Sequence, residues 1–215
     1  MPDIINNKDF IIFTTREYAS YKKLSMSAAS KRLSRLKKSR LLTRVTKGVW
    51  ANTAHPYFHP ASCVPYLLNK ETGYISFLTA LHFHGLLSQI PKTIQVATTG
   101  HSRMLDSPVA YYEFIQIKPE LIQKNLIWSE TQLPYLLATA EKALFDVLYI
   151  STRKNKRFKS LPELTLTSDL INRRTFRKLF NQSSLPARIL NSMQSRARES
   201  GLEQIFHENA ISEVR

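Results

Sequence analysis

Residues 27–52 read SAASKRLSRLKKSRLLTRVTKGVWAN. Two periodicities meet here. In the first half, Ala29, Leu33 and Leu36, with Met26 just ahead, recur at offsets of three and four, the spacing that places side chains on one face of a helix. The other face holds Ser27, Ala28, Lys31, Ser34, Arg35 and Lys38, with no Asp or Glu. A helix that is only solvated mixes signs and gains from Glu–Lys pairs four apart. Hydroxyls and cations alone suit phosphates and base edges. In the second half, residues 41–45 and 49–51 are short apolar runs around Thr46-Lys47-Gly48. Gly48 can take positive φ, so the pattern predicts a β-hairpin with Thr46 and Lys47 at its tip.

Upstream, residues 13–24 read FTTREYASYKKL. Thr14 followed three residues later by Glu17 predicts a capping box, with Phe13 placed to staple the first turn. A helix over 15–22 follows, then a tight connection over 24–26, with Ser27 expected to cap a helix over 27–38. Residues 3–12 are expected as a leading helix whose Ile4, Ile5, Phe10, Ile11 and Ile12 close a small core. Helix, turn, helix and hairpin, in that order, is the signature of a winged helix-turn-helix, whose second motif helix enters the DNA major groove.

The charge distribution agrees. Residues 1–60 carry a net charge of +9, residues 61–150 of −1 and residues 151–215 of +7, in a chain of +15 overall. A basic block on each side of a neutral middle predicts a polyanionic partner, nucleic acid before anionic membrane. The single cysteine, Cys63, permits no internal disulfide and suits a reducing cytoplasm. The opening MPDIINNKDF lacks the charged and apolar regions of a secretory signal, and no apolar run reaches the ~18 residues of a membrane span.

Pro56, Pro60 and Pro65 give residues 55–69 a linker-like reading. His55, His59 and Cys63 are four apart, but the prolines oppose a ligating helix and a fourth ligand is lacking, so no metal site is expected. Beyond them, KTIQVATT, AYYEFIQI and QLPYLLA read as strands, and residues 76–84 as a helix ended by Gly85. TAEKALFDVLYIS reads as a helix that buries Ala140, Ala143, Leu144, Val147 and Leu148, with Lys142 and Asp146 pairing on its polar side. The five glycines are too far apart for a dinucleotide fingerprint or P-loop, and neither G-x-S-x-G nor Glu-x-Lys occurs. The chain is therefore expected to be no enzyme and to need no cofactor.

Three segments resemble the AbiEi-type antitoxins of type IV toxin–antitoxin systems, known from abortive-infection loci. They are FTTREYA…SAASKRLSRLKKSRLLTRVTKGVWA, YISFLTALHFHGLLSQIPKTIQVAT and LATAEKALFDVLY, in the family's order and spacing. The resemblance implies a DNA-binding transcriptional autorepressor that binds its own promoter. It also implies an antitoxin that counters a nucleotidyltransferase-like toxin without a stable complex. On it, Ser27, Lys31, Ser34, Arg35 and Lys38 become recognition-helix contacts and Lys47 the wing contact, with Thr15 added at the start of the preceding helix. Glu141, Lys142 and Asp146 match a recurrent family element of no stated role.

The last block, TSDLINRRTFRKLF and SLPARILNSMQSRARES, predicts two basic helices. The first is expected to start at Thr167 or Ser168; Pro186 suits the first turn of the second and Gly201 its stop. Arg173, Arg174, Arg177, Lys178 and Arg188 read either as a solvated face or as a second nucleic-acid surface. If both blocks touch backbone, affinity falls roughly 10³–10⁵-fold between 50 and 200 mM salt. The expected architecture is α+β: a winged helix-turn-helix over 1–54, a linker over 55–69, and an antitoxin-like domain over 70–215, mixed α/β to 150 and helical beyond. Two alternatives stay open: an RNA-binding accessory protein, and a stand-alone ligand-responsive repressor whose middle-domain pocket uses Tyr111, Tyr112 and Trp128.

Overall fold

The capping box at Thr14 forms in the computed structural model, which describes residues 7–122, 124–153, 157–158, 160–167 and 169–207. Thr14 Oγ1 accepts from the Glu17 backbone N–H at 3.2 Å, and Glu17 Oε2 accepts from the Thr14 N–H at 2.6 Å. This cap starts α1 (Thr15–Tyr21), and Ser25, not Ser27, caps α2 (Met26–Lys38) through the Ala28 N–H. The cap shifts because the turn between the helices closes early. Lys23 takes φ 51°, which lets the Leu24 N–H reach back to the Ala19 carbonyl. Met26 is consequently exposed, while Ala29, Leu33 and Leu36 are buried as the spacing predicts.

The leading helix is a correction. Lys8–Phe10 is a 3-10 turn and Ile12–Thr14 is a strand, β1; residues 3–6 lie outside the described residues. Strand β1 pairs with β3 (Val49–Ala51), which also pairs with β2 (Thr43–Thr46), giving a three-stranded antiparallel sheet in the order β1-β3-β2. The physical reason is two-sided burial. Phe13 and Trp50 face α1 and α2, in a cluster with Tyr18, Leu33 and Leu36. Ile12, Val49 and Ala51 face the other way and join the main core. A period of two satisfies both environments, and a helix could not.

The segment 55–69 is no free linker. It forms a 3-10 turn, Pro60–Cys63, and helix α3 (Val64–Leu68), with Ala61, Ser62, Cys63 and Val64 buried. Tyr66 donates to the Ile12 carbonyl at 2.9 Å, and Tyr112 donates to the Pro60 carbonyl at 2.9 Å. These bonds fasten the segment to both sheets.

The second sheet has six strands: β4 (Gly73–Ile75), β5 (Ile94–Thr98), β6 (Arg103–Ser107), β7 (Ala110–Gln116), β8 (Leu126–Trp128) and β9 (Leu136–Ala138). Their order is β6-β7-β5-β4-β9-β8, with the β5–β7 and β4–β9 pairs parallel and the others antiparallel. Helix α4 (Phe77–Phe83) follows β4, and α5 (Ala140–Ser151) follows β9. Two further helices, α6 (Arg173–Asn181) and α7 (Ala187–Glu199), pack on α5. The described residues therefore make a mixed α+β fold with seven α-helices and two sheets. The start of α6 is a further correction: Asn172 caps it, while Thr167 lies upstream and Ser168 is outside the described residues. Gly201, at φ 68°, ends α7 as expected. Among the described residues no helix is long and apolar enough to cross a membrane.

Candidate nucleic-acid interface

Helix α2 is anchored from below and open above. Leu33 and Leu36 are each nearly inaccessible, a burial worth about 1.5–3 kcal/mol apiece, and hold the helix on Trp50 and Tyr18. The opposite face leaves Ser27, Lys31, Ser34, Arg35 and Lys38 exposed along one surface. None of these cations has an ion-pair partner among the described residues. Arg35 and Lys38 sit in the last turn, where they also complement the helix dipole; Lys31 lies beyond that turn.

The hairpin tip is held rigidly beside this helix pair. Lys47 and Gly48 form the turn, with Gly48 at φ 83° and Lys47 exposed. The Gly48 carbonyl accepts from the Thr15 N–H at 2.8 Å. Thr15 itself is a correction to the expected contact set. Its hydroxyl accepts from Trp50 Nε1 at 2.9 Å and donates to the Gly48 carbonyl at 3.4 Å, and the residue is buried. Thr15 fastens the hairpin to α1, and its burial with this hydroxyl engaged in both bonds takes it off the exposed face.

Arg44 and Arg32 are among the surface cations that escaped the sequence reading. Arg44 stands opposite Trp50 in the β2–β3 register, its guanidinium 5.9 Å from the Trp50 ring and its Nε donating to the Thr46 carbonyl at 3.3 Å. Arg32 is exposed on α2 beside Lys31. The cross-strand position of Arg44 was readable only once the hairpin register was known.

The C-terminal cations divide. Arg174, Lys178 and Arg188 are exposed, whereas Arg173 and Arg177 are half-buried and Arg173 donates to Gln204 Oε1 at 3.2 Å. Part of this block is thus spent on packing.

The Glu141–Asp146 element is not on a polar face. Every residue of α5 except Glu141 is buried, because α4, α6 and α7 surround it. Lys142 and Asp146 do pair, at 1% and 0% exposure. The second Asp146 oxygen accepts from Ser76 Oγ at 2.8 Å and from the Tyr74 hydroxyl at 2.9 Å. Burial, reinforced by the Asp146 carboxylate, holds the Tyr74 phenol well above its ordinary pKa, so it stays a donor. Glu141 Oε1 accepts from the Asn172 N–H at 2.8 Å, at the start of α6. The element bolts α5 to β4 on one side and to α6 on the other.

His55 and His59 each use Nδ1 to accept a backbone N–H, from Tyr57 and Ala61, and no three of His, Cys, Asp and Glu converge on a metal site among the described residues. Burial pushes the Cys63 thiol up to about 11. Of the aromatics considered for a middle-domain pocket, Tyr111 and Trp128 are exposed and Tyr112 is buried. No protein-family model matches the chain, and no curated protein matches it.

Proposed function

We propose that this chain is a double-stranded-DNA-binding transcriptional regulator, with α2 reading the major groove and the β2–β3 hairpin acting as the wing of a winged helix-turn-helix. The observation that carries the reading is the exposed face of α2, where Ser27 and Ser34 stand with Lys31, Arg35 and Lys38, cations without an ion-pair partner among the described residues, on a rigid base. The base matters because a groove-reading helix must hold its register. The Thr15–Gly48 and Thr15–Trp50 hydrogen bonds fix helix pair and hairpin as one unit. An α-helix fits the B-DNA major groove but not the deep, narrow major groove of A-form RNA, which favours DNA over the RNA-binding alternative.

The resemblance to AbiEi-type antitoxins extends the proposal. On it the DNA is the chain's own promoter, and the protein also counters a nucleotidyltransferase-like toxin. That second part rests on the resemblance, while placement in the cytoplasm rests on the single cysteine, Cys63. The test is fluorescence anisotropy with the upstream promoter fragment, a scrambled duplex and a structured RNA over a salt series. Promoter binding tighter than scrambled by about 10³ or more near physiological salt is the expected result. Equal binding to all three, vanishing with salt, would leave α2 a solvated face.

A further inference from the structure

Helix α2 is basic on its flank as well as on its outward face. Beside it runs a groove of about 540 Å³. Its apolar lining comes from Leu24, Leu36 and Leu41, and its charged lining from Lys31, Arg32 and Arg35. The volume lies within the range of roughly 300–1,000 Å³ typical of small-molecule sites. No carboxylate lines the groove, and none of the three cations has an ion-pair partner among the described residues. Leu41 is 38% exposed, with its side chain open to this concavity. Arg32 also lies within electrostatic reach of the Tyr18 hydroxyl, which is buried with no hydrogen-bond partner among the described residues.

Three cations with no ion-pair partner among the described residues, beside the accessible Leu24 and Leu41, set a demand on any occupant. A phosphodiester backbone satisfies the cations and leaves Leu24 and Leu41 wet. A neutral apolar molecule covers the leucines and desolvates the cations without compensation, which is costly. An organic anion with an apolar body meets both, through charge-assisted hydrogen bonds at one end and burial at the other. We propose that this groove is an effector site for a small amphiphilic carboxylate, of medium-chain aliphatic or aryl type. The regulatory consequence rests on the DNA-binding reading. Lys31 and Arg35 line both this groove and the outward face of α2, so an anion bound here withdraws two cations from the duplex. Binding and DNA release are then coupled reciprocally.

The test uses the full-length protein without DNA, and sodium octanoate below its micellar concentration as the probe, with 1-octanol as the neutral control. Binding is followed by ¹H–¹⁵N NMR shifts and calorimetry. Octanoate is expected to move the amides of α2 and of residues 39–41, and to bind at least about tenfold more tightly than octanol, as one charge-assisted contact requires. Arg32→Ala and Leu41→Ser, both at exposed positions, should each weaken octanoate at least fivefold with an unchanged circular dichroism spectrum. Equal octanoate and octanol affinities, shifts confined to another part of the molecule, or no effect of Arg32→Ala would overturn the site. An acidic amphipathic peptide that shifts the same amides while octanoate is silent would overturn it in favour of a protein partner. Because no DNA is present, these outcomes stand apart from the promoter experiment. A second arm adds saturating octanoate to the duplex titration. A fivefold or greater loss of duplex affinity in the wild type, absent in Arg32→Ala, is expected, and undiminished affinity would overturn the effector role.

Discussion

Helices α2 and α5 have nearly the same length, 13 and 12 residues, and opposite uses for positive charge. In α2 the lysines and arginines lie in water with no counterion among the described residues, and the helix is held by three small or aliphatic side chains beneath. In α5 the one lysine is sealed away from water, against Asp146, and that carboxylate is further held by Tyr74 and Ser76. The same residue type is therefore a free contact in one helix and a structural bolt in the other. What separates them is the number of elements packed around the helix, since α5 has neighbours on every side and α2 on one.

The largest way to sharpen this contrast is Lys142→Met. It leaves Asp146 buried with no cation, and breaking such a pair typically costs about 3–5 kcal/mol. Urea unfolding should show that loss, and adding Asp146→Leu should restore part of it. A loss below about 1 kcal/mol would mean that α5 tolerates its charge as easily as α2 does. Duplex affinity, measured where the variant is still folded, should not change.

The mirror experiment is Lys31→Ala with Arg35→Ala. Stability should move by less than about 0.5 kcal/mol per site, as for other exposed positions. Promoter preference over scrambled duplex should fall roughly tenfold to a hundredfold, the scale of losing base-edge contacts. Anisotropy against both duplexes separates these, and retained preference would remove α2 from the groove.

Smaller effects are expected from the hairpin tip and the C-terminal block. Lys47→Ala should weaken all duplexes alike and reduce the slope of log affinity against log salt by about 0.9, one phosphate contact. The same measurement on Arg174→Ala with Lys178→Ala decides whether α6 touches DNA, and an unchanged slope would assign those cations to solvent.

The smallest effect concerns His59. Burial lowers its pKa below the ordinary histidine value, and its Nδ1 must be unprotonated to accept the Ala61 N–H that caps the 3-10 turn. Because the folded-state pKa is depressed, the unfolded chain takes up the proton first as pH falls. The stabilisation is present above the ordinary histidine range and is lost on acidification through it. His59→Asn keeps a capping acceptor that does not titrate. Its melting temperature should therefore drop less than the wild type's between pH 7 and pH 5.

Local signals were legible wherever neighbours in sequence decide the outcome. The Thr14–Glu17 box, the buried stripe of α2, the glycine turn at Gly48 and three apolar strands, now β5, β7 and β9, follow from spacing alone. Strands β4, β6 and β8 were not read from the sequence: β4 runs almost directly into the apolar helix α4, β8 is an isolated three-residue run, and β6 carries Arg103 and Asp106. β1 was missed because Ile11-Ile12-Phe13 is a continuous apolar run, and its alternation appears only once two different cores claim its two faces. The proline-rich stretch 55–69 reads as a linker by composition. It is nevertheless packed, since Tyr66 and Tyr112 draw it onto both sheets. Ile12, Val49 and Ala51 also pack into the main core, so a fragment ending near residue 60 would expose them.

The candidate interface shows the same division. The cationic face of α2 is a property of the sequence, because helical periodicity alone places Lys31, Ser34, Arg35 and Lys38 together. Thr15 looked equally available, yet a hydrogen bond from a tryptophan 35 residues away consumed its hydroxyl. The groove beside α2 was hidden too, since Leu24 and Leu41 meet Arg32 only after the turn and the helix end fold back. Periodicity and capping are interactions over three or four residues, and the chain determines them by itself. Which charge is buried, which hydroxyl is spent and which leucine meets which arginine depend on contacts across dozens of residues, and only the tertiary structure decides those.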